Sequence, residues 1–126
     1  DLYKLAEWRN DNLPSFSAIK AKEVIPKNII TKEPTAELKE DQKDSDSLPP
    51  YDVLDKILYL LVEKESSINE IISKGYEPSL VTKVQNLLYN SEYKRRQAAP
   101  GVKISERNFG YDRRYPITNA FRDKEK

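Results

Sequence analysis

Apolar positions recur at helical spacing in four places along this chain, and long polar stretches separate them. Leu2, Leu5, Ala6 and Trp8 form a short stripe at the start. That helix should end between Asn10 and Pro14. Only Asp1 precedes it as a cap, with no residue to staple it, so the chain reads as cut from something longer. Leu54, Ile57, Leu58 and Leu61 follow the i, i+3, i+4, i+7 rule, with Val53 and Leu60 widening the face, and predict a helix over 51–64. Ser67-Ile68-Asn69-Glu70 is a capping box, and Gly75 supplies a left-handed end, so a short helix is predicted over 67–74. Pro78 then suits the first turn of a third helix of this set, lined by Leu80, Val81, Val84, Leu87 and Leu88. That helix should continue through Tyr93 into Lys94, Arg95 and Arg96, where cations favour the negative end of the helix dipole, and Pro100-Gly101 closes it.

The intervening stretches read differently. Residues 14–32 are irregular and mixed; Ile25-Pro26 and the Ile29-Ile30 pair are expected to pin a strand-like or turn-like passage to a core. Residues 34–50 read as an exposed acidic loop, almost without hydrophobic side chains, that stops at Pro49-Pro50. Beyond Val102 the aromatics Phe109, Tyr111, Tyr115 and Phe121 alternate loosely with Arg113, Arg114 and Arg122, and Pro116 forbids a regular helix. An extended tail that docks by its aromatics is expected there.

Composition sharpens this outline. At 126 residues the chain is one domain's worth, 37% hydrophobic and 34% charged. A core is possible only where the apolar residues concentrate; if these are not enough, part of it must come from chain outside this sequence. With no cysteine and no histidine there is no disulfide, thiol nucleophile or imidazole base. No apolar run approaches membrane-spanning length and no signal peptide opens the chain, so a soluble cytoplasmic protein is expected. The net charge of +1 conceals a segregation. Residues 33–52 carry seven acids against two lysines, and residues 93–126 carry ten bases against four acids. The basic end suits an anionic partner, or simply balances the acidic segment as solvated surface.

Much machinery is absent. Gly75, Gly101 and Gly110 stand alone, so no glycine-rich phosphate loop is possible. No Ser/His/Asp or Cys/His set exists. The pair Asp44 and Asp46 lacks the glycine and distal glutamate of a calcium loop.

Four stretches in register carry a resemblance. Lys32-Glu33-Pro34-Thr35-Ala36-Glu37-Leu38 is followed by Leu48-Pro49-Pro50-Tyr51-Asp52-Val53-Leu54-Asp55. Then come Glu92-Tyr93-Lys94-Arg95-Arg96-Gln97-Ala98-Ala99-Pro100-Gly101 and Asp112-Arg113-Arg114-Tyr115-Pro116-Ile117-Thr118-Asn119. Together with the opening Leu2-Tyr3-Lys4-Leu5-Ala6, they resemble the C-terminal part of the synthetase domain of glutamine-dependent NAD⁺ synthetases, along almost the whole chain.

The resemblance implies an α/β fold of the adenine-nucleotide hydrolase (ATP pyrophosphatase) type. Its sheet and its Ser-Gly-Gly-x-Asp-Ser loop precede this segment, leaving 1–126 mainly helical: a helix and connector at 1–32, the acidic loop at 33–50, helices at 51–97 and a basic tail at 98–126. It implies adenylation of the nicotinate carboxylate of deamido-NAD⁺ by ATP, then displacement of AMP by ammonia taken from glutamine. An N-terminal glutaminase domain with a catalytic cysteine would be a partner, as would further subunits of a homo-oligomer. Mg²⁺ would be bound by residues outside this chain. The fragment alone is expected to be inactive, with no catalytic acid, base, nucleophile or metal ligand of its own.

Residue by residue, Thr35 matches a hydroxyl that contacts ATP, and Lys94 a lysine that contacts deamido-NAD⁺. Tyr93, a weaker candidate, stands where ammonia-dependent relatives carry a histidine touching the same substrate, a contact that would survive as stacking or packing. Arg95 and Asp112 are weaker candidates for deamido-NAD⁺, and Arg113 and Arg114 have no assigned role. Simpler readings stand beside these: Thr35 as a turn residue, Lys94 as a helix-end cation, Asp112 with its arginines as structural ion pairs, and the loop 37–46 as a lid or as plain surface. Two other classes compete: a module for RNA or single-stranded DNA using arginines interleaved with aromatics, and a helical interaction domain with no small-molecule role.

Overall fold

The computed structural model describes residues 2–21, 23–32, 34–35, 40–41, 43–44, 47–108 and 110–123. They contain six helices and no strand: α1 Leu2–Asp11, α2 Lys27–Thr31, α3 Tyr51–Val62, α4 Ile68–Ser73, α5 Pro78–Asn90 and α6 Glu92–Arg96. Two compact units result, Asp1–Ser47 and Leu48–Lys126.

The second unit holds the core. Leu54, Ile57, Leu61 and Val62 of α3 meet Ile68 and Ile71 of α4 and Val81, Val84 and Leu88 of α5. Each helix turns its predicted stripe inward, which removes apolar side chains from water at roughly 1.5–3 kcal/mol apiece. Leu87 departs from the expected face and stays 40% exposed, whereas Gln85, about 200° round the helix from it, is buried at 2%. The short α4 depends on its ends. Ser67 Oγ accepts from the Glu70 amide and the Glu70 carboxylate accepts from the Ser67 amide, forming the capping box that the sequence signals. Gly75 closes the turn at φ +93°, a conformation that penalises any residue with a Cβ. Pro78 occupies the first turn of α5, and the Glu77 carboxylate accepts from the Ser79 and Leu80 amides as an unforeseen cap. At the end of α3, the Ser66 amide reaches back to Leu60 O at 2.9 Å, with Glu65 in the left-handed region at φ 50°.

One prediction fails in detail. The helix expected to run from 78 into the basic residues is broken at Ser91, whose φ −90° and ψ 4° end α5 and begin α6. The Ser91 amide bonds to Leu87 O and Tyr89 O, a terminal pattern, so the basic residues sit on a separate short helix.

The first unit is built differently. None of the residues of α1 or α2 is buried, and Leu2, Leu5, Trp8, Phe16 and Ile19 are all more than half exposed. Hydrogen bonding orders it instead. Asn10 Oδ1 accepts from the Val24 and Ile25 amides, both at 3.0 Å, while Asn10 Nδ2 donates to Ile25 O at 2.8 Å. The Glu23 carboxylate accepts from the Lys27 amide and starts α2. The passage around Ile29-Ile30, expected to be strand-like or turn-like, is a helical turn; Ile29 is 61% exposed rather than buried, and Ile30 is half-buried. The Asp44 amide donates to Pro34 O at 3.1 Å, joining two points within the acidic segment.

Candidate functional site

The short helix α6 and the tail that crosses it carry most of the predicted site residues. Glu92 opens α6 and is buried, at 2% exposure. Arg95 and Arg96 lie three and four positions on, the spacing at which helical side chains meet. Arg95 Nη2 pairs with Glu92 Oε2, and Arg96 Nε stands 3.6 Å from Glu92 Oε1. Both guanidinium groups reach further: Arg95 Nη2 donates to Arg113 O at 2.6 Å, and Arg96 Nη2 to Tyr115 O at 2.9 Å. Arg113 is itself buried, donates to the Tyr115 hydroxyl at 2.7 Å, and stacks its guanidinium 4.6 Å above the Tyr115 ring.

Tyr115 in turn meets α5. Its ring centroid lies 4.3 Å from that of Tyr89, and the Tyr89 hydroxyl donates to it at 3.2 Å. Burial, reinforced by that hydroxyl contact, pushes the Tyr89 phenol up to about 12. Arg122 fastens the tail further along, donating to Asn86 Oδ1 at 3.0 Å and Asn90 Oδ1 at 2.9 Å. Asp123 accepts from the Ile68 amide at the start of α4. Among the described aromatics of the tail, the expected docking is thus realised by Tyr115. Tyr111 and Phe121 remain exposed, arginines make the other attachments, and Phe109 lies outside the described residues.

Against this frame of paired charges, Tyr93 and Lys94 stand out. Both are exposed, and the Lys94 ammonium lies 6.0 Å from the Tyr93 ring centroid. The helix places them two positions or fewer from Glu92, on the side that cannot reach its carboxylate. A mobile point charge beside an aromatic face is suited to an anionic ligand with a flat ring.

The other two weaker candidates, Arg95 and Asp112, are occupied. Arg95 has only 10% of its side chain exposed. The Asp112 carboxylate accepts from Lys103 Nζ at 2.8 Å and from the Asn108 amide at 2.7 Å, and the Lys103 ammonium is the leading cause holding it below the ordinary value. Arg114 donates to Gly110 O and lies over the Tyr111 ring. In the other unit Thr35 is half-buried and interacts with its surroundings, directly after the Pro34 carbonyl that Asp44 engages. Most of the acidic stretch 37–46 lies outside the described residues, the lid expectation with it.

Glu92 and the Tyr89–Tyr115–Arg113 stack were missed in the sequence. The Glu92 spacing to Arg95 and Arg96 was a legible signal. The meeting of Tyr89 with Tyr115 was not, because nothing local links positions 26 residues apart. Among the described residues no group of three or more His, Cys, Asp or Glu could hold a metal ion, and no helix is long and apolar enough to cross a membrane.

The sequence model of the NAD synthase family matches residues 1–98. Among curated proteins, the glutamine-dependent NAD(+) synthetase of Xylella fastidiosa strain 9a5c is 50% identical over 121 residues, covering 96% of this chain and 21% of that protein. Those of Thermotoga maritima and Rhodobacter capsulatus are 47% and 46% identical, each over 98% of this chain and over 20% and 23% of their own lengths. The chain therefore spans between 20% and 23% of these relatives. A solved structure, the glutamine-dependent NAD+ synthetase of Acinetobacter baumannii in complex with adenosine diphosphate, matches at TM-score 0.60 and 39% identity, over 98% of this chain and 20% of that one. A family match over most of the residues, with relatives near half-identical across nearly all of them, establishes the descent: the chain belongs to the NAD synthase family.

Proposed function

We propose that this chain is the C-terminal part of the synthetase domain of a glutamine-dependent NAD⁺ synthetase, and that it holds deamido-NAD⁺ and ATP for the amide-forming reaction. The carrying observation is the exposed Tyr93–Lys94 pair on α6, presented while the adjacent Arg95 and Arg96 are tied to Glu92 and the tail. An enzyme joining a carboxylate to an ATP phosphorus must bring two anions together, so a mobile cation at the dinucleotide has a plain electrostatic use. Lys94 donates to an anionic group of deamido-NAD⁺, and Tyr93 offers a ring face to it. Thr35 follows a proline-fixed turn, and its hydroxyl donates to an ATP phosphate oxygen. These residues bind and orient substrates. Without histidine or cysteine, this chain supplies neither a proton relay near neutral pH nor a nucleophilic thiol.

On this reading the parallel sheet, the phosphate-binding loop and the Mg²⁺ ligands belong to other parts of the α/β synthetase domain. A glutaminase domain generates the ammonia, and the intact cytoplasmic protein is a homo-oligomer. Arg95, Arg96, Arg113 and Arg122 are engaged by carbonyl, carboxylate, hydroxyl or amide oxygens of this chain, which argues against the tail as a nucleic-acid strap.

The full-length protein tests the proposal. Supplied with ATP, deamido-NAD⁺ and glutamine labelled with ¹⁵N at its amide, it should form NAD⁺ labelled in the nicotinamide amide, with one AMP and one pyrophosphate per turnover. Failure to make NAD⁺ from either glutamine or ammonium would overturn the reading.

A further inference from the structure

Lys94, Arg95 and Arg96 are three successive cations on one short helix, and an anionic substrate approaching α6 could in principle meet any of them. Successive helical residues point about 100° apart, so the helix alone spreads the three charges round its circumference. Glu92 sorts them. It is the one buried carboxylate among the described residues, and its positions i+3 and i+4 are the two arginines. Lys94, at i+2, is beyond its reach. The two arginines are then continued into the tail, to Arg113 O and Tyr115 O, while Arg113 and Tyr115 lock against each other. One side of α6 is thereby fastened down by charge, and the other presents Tyr93 and Lys94.

We infer that Glu92 is a positioning residue for deamido-NAD⁺: by burying Arg95 against itself and holding the exposed Arg96 toward the tail it sets the rotation of α6 and leaves Lys94 as the α6 cation with no salt bridge among the described residues. This rests on the reading of Lys94 given above and extends it. Glu92 itself, buried beneath its arginines, does not touch the substrate. Without its charge, Arg95 becomes a poorly compensated buried cation. Either it turns outward to compete for the dinucleotide, or α6 rotates to rehydrate it, and both displace Lys94.

The test uses the full-length enzyme with Glu92→Gln, which keeps the side-chain shape and removes the charge. The KM for deamido-NAD⁺ should rise about fivefold or more, in the range expected when a neighbour in the same ion-pair network is lost. The KM for ATP and the glutaminase rate should change less than about twofold. In a Lys94→Ala background the same substitution should add almost nothing, since there is no longer a lysine to position. Equal changes for both substrates, or the same factor with and without Lys94, would reduce Glu92 to a structural ion-pair partner and overturn the inference. If Lys94→Ala alone leaves the deamido-NAD⁺ constant unchanged, the reading of Lys94 has failed and the inference falls with it. If Lys94→Ala raises that constant and a folded Glu92→Gln does not, only the role of Glu92 is refuted. Should Glu92→Gln not fold, Tyr115→Phe removes the hydroxyl that receives Arg113 yet leaves the ring and Glu92 intact. It should raise the same constant alone, in the same direction and by less; no change, or an equal change for ATP, overturns the inference.

Discussion

Replacing Lys94 by alanine isolates the cation that the proposed site depends on. The ammonium makes no salt bridge among the described residues and only a long contact to the Tyr93 ring, so no intramolecular bond is lost with it. Lys94 is exposed on a short helix, and alanine is at least as good a helix former, so melting temperature should hold. What disappears is the interaction with substrate. A hydrogen bond to a charged group contributes about 1.5–3 kcal/mol. At about 1.4 kcal/mol per tenfold, that corresponds to a rise of about 12- to 150-fold in the KM for deamido-NAD⁺. The assay is steady-state NAD⁺ formation by the full-length enzyme with ammonium as nitrogen donor, varying deamido-NAD⁺ at saturating ATP. A second axis is salt. Exposed charges are screened over about 10 Å at 0.1 M, so the wild-type KM should climb with ionic strength more steeply than that of the variant. A KM within twofold of wild type and an unaltered salt slope would refute the reasoning, returning Lys94 to the helix-end cations.

Other outcomes follow from the same structure. Thr35→Ala in the full-length enzyme should raise the KM for ATP with that for deamido-NAD⁺ unchanged; a shift confined to deamido-NAD⁺ would contradict the assignment. Ile71→Ala removes most of a side chain with no solvent exposure between α3 and α5, and should destabilise by about 2–5 kcal/mol, read from chemical denaturation of the full-length protein. A loss below about 1 kcal/mol would show that the site relaxes around the gap. The Glu70 and Glu77 carboxyls are held below the ordinary 4.5, Glu70 first by the Ser67 amide and Glu77 first by the Ser79 hydroxyl. A lowered folded value means that the caps stabilise α4 and α5 fully above the ordinary carboxylate range and fade as pH falls through the folded values. Carboxyl ¹³C titration should place both midpoints under 4.5, and midpoints at or above it would contradict the cap geometry.

Local chemistry was enough to read much of this chain. Ser67 with Glu70, Gly75 and Pro78 each act within one helical turn, so α4 and the start of α5 were legible from residue order, as were the apolar stripes of α3 and α5. The family was legible as well, since the resemblance carried by four stretches agrees with a family match over residues 1–98. Other features depended on distant partners. A helix was expected to run unbroken past Ser91, because nothing in the local pattern marks the stop. The break accompanies the burial of Glu92 beneath Arg95 and the docking of Arg113 and Tyr115, which come from a tail whose path its own residues do not dictate. Asp112, Arg95 and Lys94 were all candidates for contact with an anionic substrate, the first two the weaker. Only tertiary contacts separate them, since a charge already neutralised by Lys103 or Glu92 is unavailable to a ligand, whereas Lys94 stays exposed beside Tyr93. Spacing along the chain determines which side chains can meet within a turn; which charge is left over is decided by how distant segments pair, because electrostatic neutralisation depends on distance in space rather than in sequence.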